Sequence, residues 1–509
     1  MSTASGTEPG ASGQLEYATS AGRFVIAACV LGSGITSLDA TIVGLALPAI
    51  GRQFHAGIAD LQWVVTGYML TLAALLLVGG TLGDRYGRKR IFAFGVVWFA
   101  LSSAACGLAV NAPMLIITRI LQGAGGALLT PGSLAILEAS FRPGDRERAI
   151  GAWSGMAGIA TAIGPFIGGY LVSAASWRWI FLVNVPVSAF VLYLTARHVP
   201  ESVDPDAHGR IDLRGAALTV VWLAALTYVF IEGPSRGWGS PVIVAGLVLS
   251  IAIPPLLFAA ERRTEAPMLP LSLFRSSQFS AVNAVTFVVY AGISGALFLV
   301  PVELQVASHY SPLESGIALL PVTGIMLVLS SRSGSLAARI GPRLQMTAGP
   351  IVVGAGLALL AFAADGRNYV TNVLPAVLVF GFGLAITVAP LTSTAMSAAP
   401  AERAGVASAV NNTVARFGGL VAVAVLPVIA GIGGNSYLVA HDLSAGFKTV
   451  VWISAAAAGV GGPVSLAAIK NPARPAAAAA REPHCCALDG PSMAHAGNRR
   501  SSPAGSRAS

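Results

Sequence analysis

Apolar and polar positions in this chain alternate on a scale of tens of residues. Runs of roughly 20 apolar residues, the length a helix needs to cross the hydrocarbon core of a bilayer, recur along it. They lie at 24–47, 61–81, 91–110, 113–137, 149–172, 177–196, 213–232, 241–260, 279–301, 315–337, 346–364, 369–396, 405–432 and 445–469, fourteen spans in all. Most are separated by short polar hinges, which predicts a bundle of neighbouring antiparallel helices. Longer connections at 197–212 and 261–278 set spans 7 and 8 apart. Residues 1–20 are polar and show neither a basic n-region nor a small-residue cleavage site, so the first span is expected to be its own insertion signal. The segment from Pro472 to Ser509, rich in Ala, Pro, Ser and Arg, has no apolar periodicity and is expected to be disordered.

Composition agrees with an all-α integral membrane protein. Of 509 residues, 55% are hydrophobic and 10% charged, with mean hydropathy +0.73, whereas soluble domains carry roughly a quarter charged residues. The net charge of +9 is not gathered into a basic domain, so no nucleic-acid partner is expected. With the N-terminus inside, nearly all Lys and Arg fall on the tails and on the loops of one side. The other side holds Arg52, Arg178, Arg236, Arg367 and Lys448, and Arg119 and Arg416 lie within spans. This asymmetry puts both termini in the cytoplasm. Cys29 and Cys106 lie in spans, and Cys485 and Cys486 in the tail, so no disulfide framework is expected. His484 has no second ligand pair at zinc spacing, so no metal is expected either.

One hinge carries most of the information. Gly80-Thr81-Leu82-Gly83-Asp84-Arg85-Tyr86-Gly87-Arg88-Lys89-Arg90 joins spans 2 and 3, with glycines for a tight turn and an acid among bases. A weaker copy, Gly334-Ser335-Leu336-Ala337-Ala338-Arg339-Ile340-Gly341-Pro342-Arg343, joins spans 10 and 11. Glu147-Arg148-Ala149 before span 5 likewise returns as Glu402-Arg403-Ala404 before span 13. Spans 1–6 and 9–14 therefore read as two related halves. The expected division is a cytoplasmic tail (1–23), an N-terminal half (24–197), a linker with inserted helices 7 and 8 (198–278), a C-terminal half (279–470) and a tail (471–509).

Charges inside spans are the candidates for chemistry. A carboxylate at the centre of a span costs roughly 2.5–3.5 kcal/mol on insertion scales, so Asp39 needs water, a partner or a proton. Arg119 is its expected neighbour. Counted from the outer helix ends at 1.5 Å per residue, both sit roughly 9–12 Å deep. The alternatives are a carboxylate that only ties helices together, and an Arg119 that snorkels to the surface. Gly164-Pro165-Phe166-Ile167-Gly168-Gly169 in span 5 combines a bend with a side-chain-free face. It reads either as packing or as a seal that opens when the halves rock. Glu303, beside Gln305 at the outer end of span 9, reads as a solvated rim residue before it reads as a second proton site. Arg416 in span 13 needs an acceptor, a backbone carbonyl or a substrate. Asn283, Asn411 and Asn412 are candidates to line a cavity, as is Gln122. Trp63, Tyr68 and Trp153 are candidates to stack on a ligand, although aromatic residues in spans more often serve packing.

These segments closely resemble the motifs of the fourteen-spanner drug:H⁺ antiporters of the major facilitator superfamily, the EmrB/QacA type. The resemblance is carried by 80–90, Arg119–Gly126, Gly164–Gly169 and Leu38–Pro48. Trp177–Pro186, Arg210–Gly215 and Ala415–Gly419 extend it over about 24–470. It implies the major facilitator fold, with substrate bound between the halves. It also implies a monomeric, proton-driven exporter of small hydrophobic or cationic molecules in a bacterial cytoplasmic membrane, with no cofactor beyond the proton motive force. On this resemblance Asp39 exchanges protons and Arg119 tunes it. Gly83, Asp84, Arg85, Gly87 and Arg88 latch the cytoplasmic side with Glu138, and Gly164, Pro165, Gly168 and Gly169 form the antiporter bend. Gly44 departs from the family's usual Asn, Ala160 from its usual Gly, and Ala338 from the acid of the second hinge. A narrow metabolite or self-resistance exporter is the nearest rival. A nutrient importer is less favoured: Pro200-Glu201-Ser202 faintly resembles a sugar-porter loop, but its Arg-Trp-Gly completion is missing. A membrane sensor is weaker still. An enzyme is not expected, and a nucleotide-driven pump is excluded for this chain, because no Gly-x-x-x-x-Gly-Lys-Ser/Thr occurs.

Overall fold

The computed structural model describes residues 15–203, 212–262, 271–365, 368–400 and 403–471. The N-terminal segment, Arg210 and Ile211, Arg367, Glu402 and the C-terminal tail with its Cys485–Cys486 pair lie outside them. The described residues are almost wholly helical. No span can leave backbone groups unpaired in lipid, and an isolated bridge between Leu15 and Phe141 is the one β-type pairing among these residues.

The N-terminal half comprises α1 (Ser20–Phe54), α2 (Ile58–Tyr86), α3 (Arg88–Gly107), α4 (Ala112–Ser140), α5 (Pro143–Ala174), α6 (Trp179–Leu182) and α7 (Asn184–His198). The inserted pair is α8 (Leu213–Arg236) and α9 (Pro241–Glu261). The C-terminal half comprises α10 (Ser277–Val306), α11 (Pro312–Ala318), α12 (Leu320–Ile340), α13 (Pro342–Leu359), α14 (Leu374–Ser397), α15 (Ala404–Ile429) and α16 (Ala440–Ala468). Among the described residues, thirteen helical segments are long and apolar enough to cross a membrane by length and composition. The expected fifth span, α5, is long enough at 32 residues. It begins in the charged turn Asp145–Arg148 and ends in the apolar stretch Ile163–Ala174. Span 6 is broken into α6 and α7, since Pro186 has no N–H for the carbonyl four residues before it. Pro321 breaks span 10 into α11 and α12 in the same way. Helix starts are capped by the side chains of Thr19, Asn111, Ser240, Ser276 and Ser311, each accepting an orphan N–H.

The internal repeat holds in three dimensions. In the first half α1 packs on α5 and α7, α2 on α4, and α3 on α4 and α7. In the second, α10 packs on α15 and α16, α12 on α14, and α13 on α14 and α16. The halves meet reciprocally: α2 lies against α15, α5 against α11 and α12, and α1 against α10. The inserted α8 leans on the α2–α15 seam, and α9 lies behind it with Val244, Leu247, Val248 and Ile251 facing outward.

Both hinges turn on a glycine at positive φ. Gly87 (φ 108°) and Gly341 (φ 86°) each end one helix and begin the next. A Cβ on Gly87 would also lie 2.8 Å from Glu201 Oε1. Gly87→Ala is therefore expected to lower unfolding stability by about 1–3 kcal/mol, measured in detergent. Gly341→Ala puts the same positive-φ strain on the second hinge and serves as the comparison. At the start of α5, Asp145 accepts from the Tyr17 N–H (3.2 Å) and from Arg142 Nε (2.7 Å). The Tyr17 N–H, followed by Arg142, holds its carboxyl below the usual carboxylate range. The ionised form is the one bound, so its contribution is present above the ordinary carboxylate pKa of about 3.9 and fades as pH falls through the lowered folded value. Asp145→Asn should lower the unfolding midpoint at neutral pH, and the difference from wild type should shrink as pH falls below the ordinary carboxylate range.

Candidate functional site

Five helices of the N-terminal half bring a polar cluster into their common interior. Asp39 on α1 and Arg119 on α4 are each 1% exposed, and Arg119 Nη1 donates to Asp39 Oδ2 at 2.5 Å. Gln122, one turn along α4, stitches them together. Its Oε1 accepts from Arg119 Nη1 (2.6 Å), and its Nε2 donates to Asp39 Oδ1 (3.0 Å). Gln122 Nε2 also reaches Ser103 Oγ on α3 (3.1 Å). Asn184, the first residue of α7, donates to Asp39 Oδ1 (3.3 Å) and to Ser103 Oγ (3.1 Å). Arg119 Nε donates to the Val64 carbonyl (3.0 Å), and its guanidinium lies 4.2 Å from the Tyr68 ring centroid. Two charges removed from water are tolerated when their remaining hydrogen-bonding capacity is met. Here both carboxylate oxygens are bonded, while Asn184 Oδ1 is left buried without a partner.

Beside this cluster, between the halves, lies a cavity of about 310 Å³. Its walls are apolar except for the hydroxyls of Thr41, Ser294 and Thr323, and they include Gly44 and Pro165. The departure at Gly44 therefore sits in the wall, with Pro301 Cγ 3.7 Å from the place of a Cβ. The Gly164–Gly169 stretch lets α5 pass between α1 and α11. A Cβ on Gly168 would stand 2.3 Å from Ile42, and one on Gly169 would stand 2.7 Å from the Pro312 carbonyl oxygen.

Among the described residues, hydrogen bonds between the halves gather away from the basic hinges. Gln62 Nε2 donates to the Val423 carbonyl (2.7 Å), Gln305 Nε2 to the Leu45 carbonyl (3.0 Å), Tyr437 OH to the Ala56 carbonyl (2.8 Å) and Leu313 N to Ser173 Oγ (3.1 Å). Toward the basic end, α5 and α15 present glycines to open space: a Cβ on Gly151, Gly155 or Gly405 would meet no atom within 4 Å. The hydrogen-bonded contacts between the halves thus lie at one end, and the open space lies at the other.

At the basic end Arg88 pairs with Asp84 (2.8 Å), and Arg85 lies over the Tyr86 ring (5.6 Å). Glu138 is exposed. The acid that ties this hinge to α7 is Glu201, which accepts from the Lys89 N–H (3.0 Å) at the start of α3 and lies 3.5 Å from Arg90 Nε.

None of the residues considered for a cavity or for ligand stacking is among those lining this one. Tyr68 and Gln122 belong to the Asp39 cluster. Trp63 donates to Glu232 of α8 (3.1 Å), and Trp153 to Ser33 Oγ (2.7 Å). Asn411 donates to Asn283 Oδ1 (3.2 Å) and Thr286 Oγ1 (2.8 Å) within the C-terminal half, while Asn412 is exposed. Glu303 is not a solvated rim residue. It is 0% exposed because the start of α16 covers it, and its Oε1 accepts from Ser444 Oγ (2.6 Å). Arg416 is partly buried, and its Nε has no hydrogen-bond partner. Sequence reasoning missed Ser103, an unremarkable serine in span 3. It also gave Asn184 no role, although Asn184 stood inside the quoted Trp177–Pro186 segment.

Two reciprocal halves around a cavity that both of them line, with an ion pair buried in one half, are the architecture of a secondary transporter. The chain belongs to the Major Facilitator Superfamily, whose family model matches residues 29–423. It is a multi-pass membrane transporter and not an enzyme. It is 39% identical over 397 residues to the multidrug resistance protein Stp of Mycobacterium tuberculosis (strain CDC 1551 / Oshkosh), a match covering 78% of this chain and 73% of that one. It is 37% identical over 411 residues to the tetracenomycin C resistance and export protein of Streptomyces glaucescens (79% and 74%). It is 34% identical over 429 residues to the methylenomycin A resistance protein of Bacillus subtilis (strain 168) (84% and 91%). A solved bacterial homolog of the human lysosomal transporter Spinster, inward-facing and unoccupied, matches with TM-score 0.62 at 17% identity, over 90% of this chain and 100% of that one. At that identity the likeness speaks for the fold alone.

Removing one member of a buried pair leaves an uncompensated charge, at a cost of about 3–5 kcal/mol. Asp39→Ala should destabilise the detergent-solubilised protein on that scale. Asp39→Ala combined with Arg119→Gln should recover a measurable part of it in a double-mutant cycle. Simple additivity of the two changes would show that the ions are not coupled.

Proposed function

We propose that this protein is a proton-driven antiporter that exports small hydrophobic or cationic drugs and antibiotics across a bacterial cytoplasmic membrane. In this reading it acts as a monomer with its basic end and both termini in the cytoplasm. The observation that carries the reading is the Asp39–Arg119 pair, buried beside the cavity. A carboxylate held by a permanent cation is a group whose protonation changes the force between two helices. Taking up a proton removes the charge facing Arg119, weakens the α1–α4 tie and leaves the guanidinium held by Gln122 and the Val64 carbonyl. The unpartnered Asn184 Oδ1 is an acceptor close to where that proton resides. The names of the relatives, multidrug and antibiotic resistance proteins, support export over uptake.

In this reading the conformation faces inward, because the parted helices lie at the basic end. Substrate enters the cleft from the cytoplasm or inner leaflet. Its arrival favours release of the proton, and the reformed ion pair drives closure of the cytoplasmic side, where Asp84, Arg88 and Glu201 brace the hinge. Gly164, Pro165, Gly168 and Gly169 let α5 slide against α1 and α11 without opening a leak. The confined apolar cavity with Gly44 in its wall favours a second reading as well, a narrow self-resistance or metabolite exporter that uses the same cycle.

The test is ΔpH-driven uptake of ethidium into inverted vesicles, with antibiotics as competitors. Wild-type uptake should collapse with an uncoupler, and Asp39→Asn should reduce it at least tenfold while the protein still inserts. Normal pumping by Asp39→Asn would falsify the assignment and transfer it to Glu303. Absence of ethidium uptake with active transport of one antibiotic would favour the narrow exporter.

A further inference from the structure

A second arginine lies within the bundle, and the cycle above does not use it. Arg416 stands in the middle of α15, and an arginine at that depth is costly without a partner. No ion pair or hydrogen bond satisfies it among the described residues, and its Nε is shut away from solvent with no acceptor. The titratable groups facing it are two phenols, Tyr68 from α2 and Tyr290 from α10. The Tyr68 hydroxyl already donates to the Thr36 carbonyl (3.2 Å), and its ring covers Arg119.

The acids of the interior are spoken for. Asp39 neutralises Arg119, Glu303 accepts from Ser444 at the sealed end, and Glu232 accepts from Trp63 and pairs with Arg236. The region around Arg416 therefore keeps one unbalanced positive charge. It also adjoins the cavity. One turn further along α15, a Cβ on Gly419 would touch Ser294 and Met69, both of which line the cavity wall. The cavity wall carries no charged residue of either sign.

From this geometry we infer that Arg416 is an anion-binding subsite at the cytoplasmic side of the cavity, which takes the carboxylate or acidic oxygen of an otherwise apolar substrate. The inference rests on the reading that the cleft carries small apolar molecules, and it adds aromatic and aliphatic acids to their class. The apolar wall receives the body of such a molecule, and the guanidinium supplies a charge-assisted bond to its acidic end. The unbalanced charge gives acids an advantage over cations of the same shape. It also accounts for an arginine left without an acceptor until substrate arrives.

The test uses the full-length protein in an uncharged detergent at neutral pH and reads the thermal midpoint as a function of ligand, since a molecule that binds only the folded state raises it. The probes are 2-naphthoate and its uncharged counterpart 2-naphthamide. Wild type should respond to naphthoate at a concentration at least roughly tenfold lower than to naphthamide, the scale of one charge-assisted bond. Arg416→Gln should bring naphthoate to the level of naphthamide while leaving the naphthamide response unchanged. Arg416→Lys, which keeps the charge on a side chain that folds into the same space, should retain most of the preference. Equal responses to the two probes in wild type overturn the inference, even if Arg416→Gln proves unstable. A preference that survives in Arg416→Gln overturns it as well. No gradient is involved, so such a failure leaves proton-coupled export untouched, and a failure of vesicle uptake leaves this binding result standing.

Discussion

The structure depends on the burial of one carboxylate and one guanidinium in a medium that cannot solvate them. Asp39 and Arg119 are held only because α1, α2, α3, α4 and α7 converge to supply Gln122, Asn184, Ser103, the Val64 carbonyl and the face of Tyr68. Gln122, Asn184 and Ser103 each make more than one of these bonds, so the cluster ties five segments together at one depth. Such a network is rigid while complete and loses several bonds together when its central charge is neutralised. That is the behaviour a gated transporter requires of one half.

The second requirement is that the halves move without losing contact. Lipid provides little hydrophobic drive between helices, so association relies on close backbone approach. Gly168 against Ile42, Gly169 against the Pro312 carbonyl and Gly316 against the Pro165 carbonyl form one such surface. The reciprocal seam of α2 and α15 is covered by the inserted α8. The two seams are thus equivalent by repeat but unequal in their surroundings, one backed by an extra helix pair and the other open to lipid. The inserted pair breaks the symmetry of an otherwise repeated architecture.

Much of the fold was legible because the bilayer imposes a length and a polarity that few other environments impose. Fourteen apolar runs, the two hinges and the basic bias predicted the two halves and the inserted pair. The hinge glycines were readable for the same kind of reason, since the tight turn expected of them needs a positive φ at Gly87 and at Gly341. The pairing of Asp39 with Arg119 followed from depth along two antiparallel helices. The cavity was not legible. Residues proposed for it on polarity, among them Trp63, Asn283 and Asn411, find partners within their own half or on α8. The wall consists instead of small and apolar positions such as Ala40, Gly44 and Leu297, which carry no distinguishing signal.

Glu303 and Glu201 show where one-dimensional reading ends. Glu303 lies near a helix end, where exposure is the ordinary expectation, yet α16 covers it. Glu201 follows a span and resembles a loop acid, yet it braces a hinge more than a hundred residues earlier. By itself the sequence determined the membrane-spanning helical class, the repeat and the presence of buried charge, since these follow from hydrophobic length and local pattern within short stretches of chain. Only the tertiary structure decided which polar groups surround Asp39, which end of the bundle is closed and which residues wall the cavity. Those outcomes depend on the rotation of each helix about its own axis, and that rotation is set by packing between segments distant in the chain.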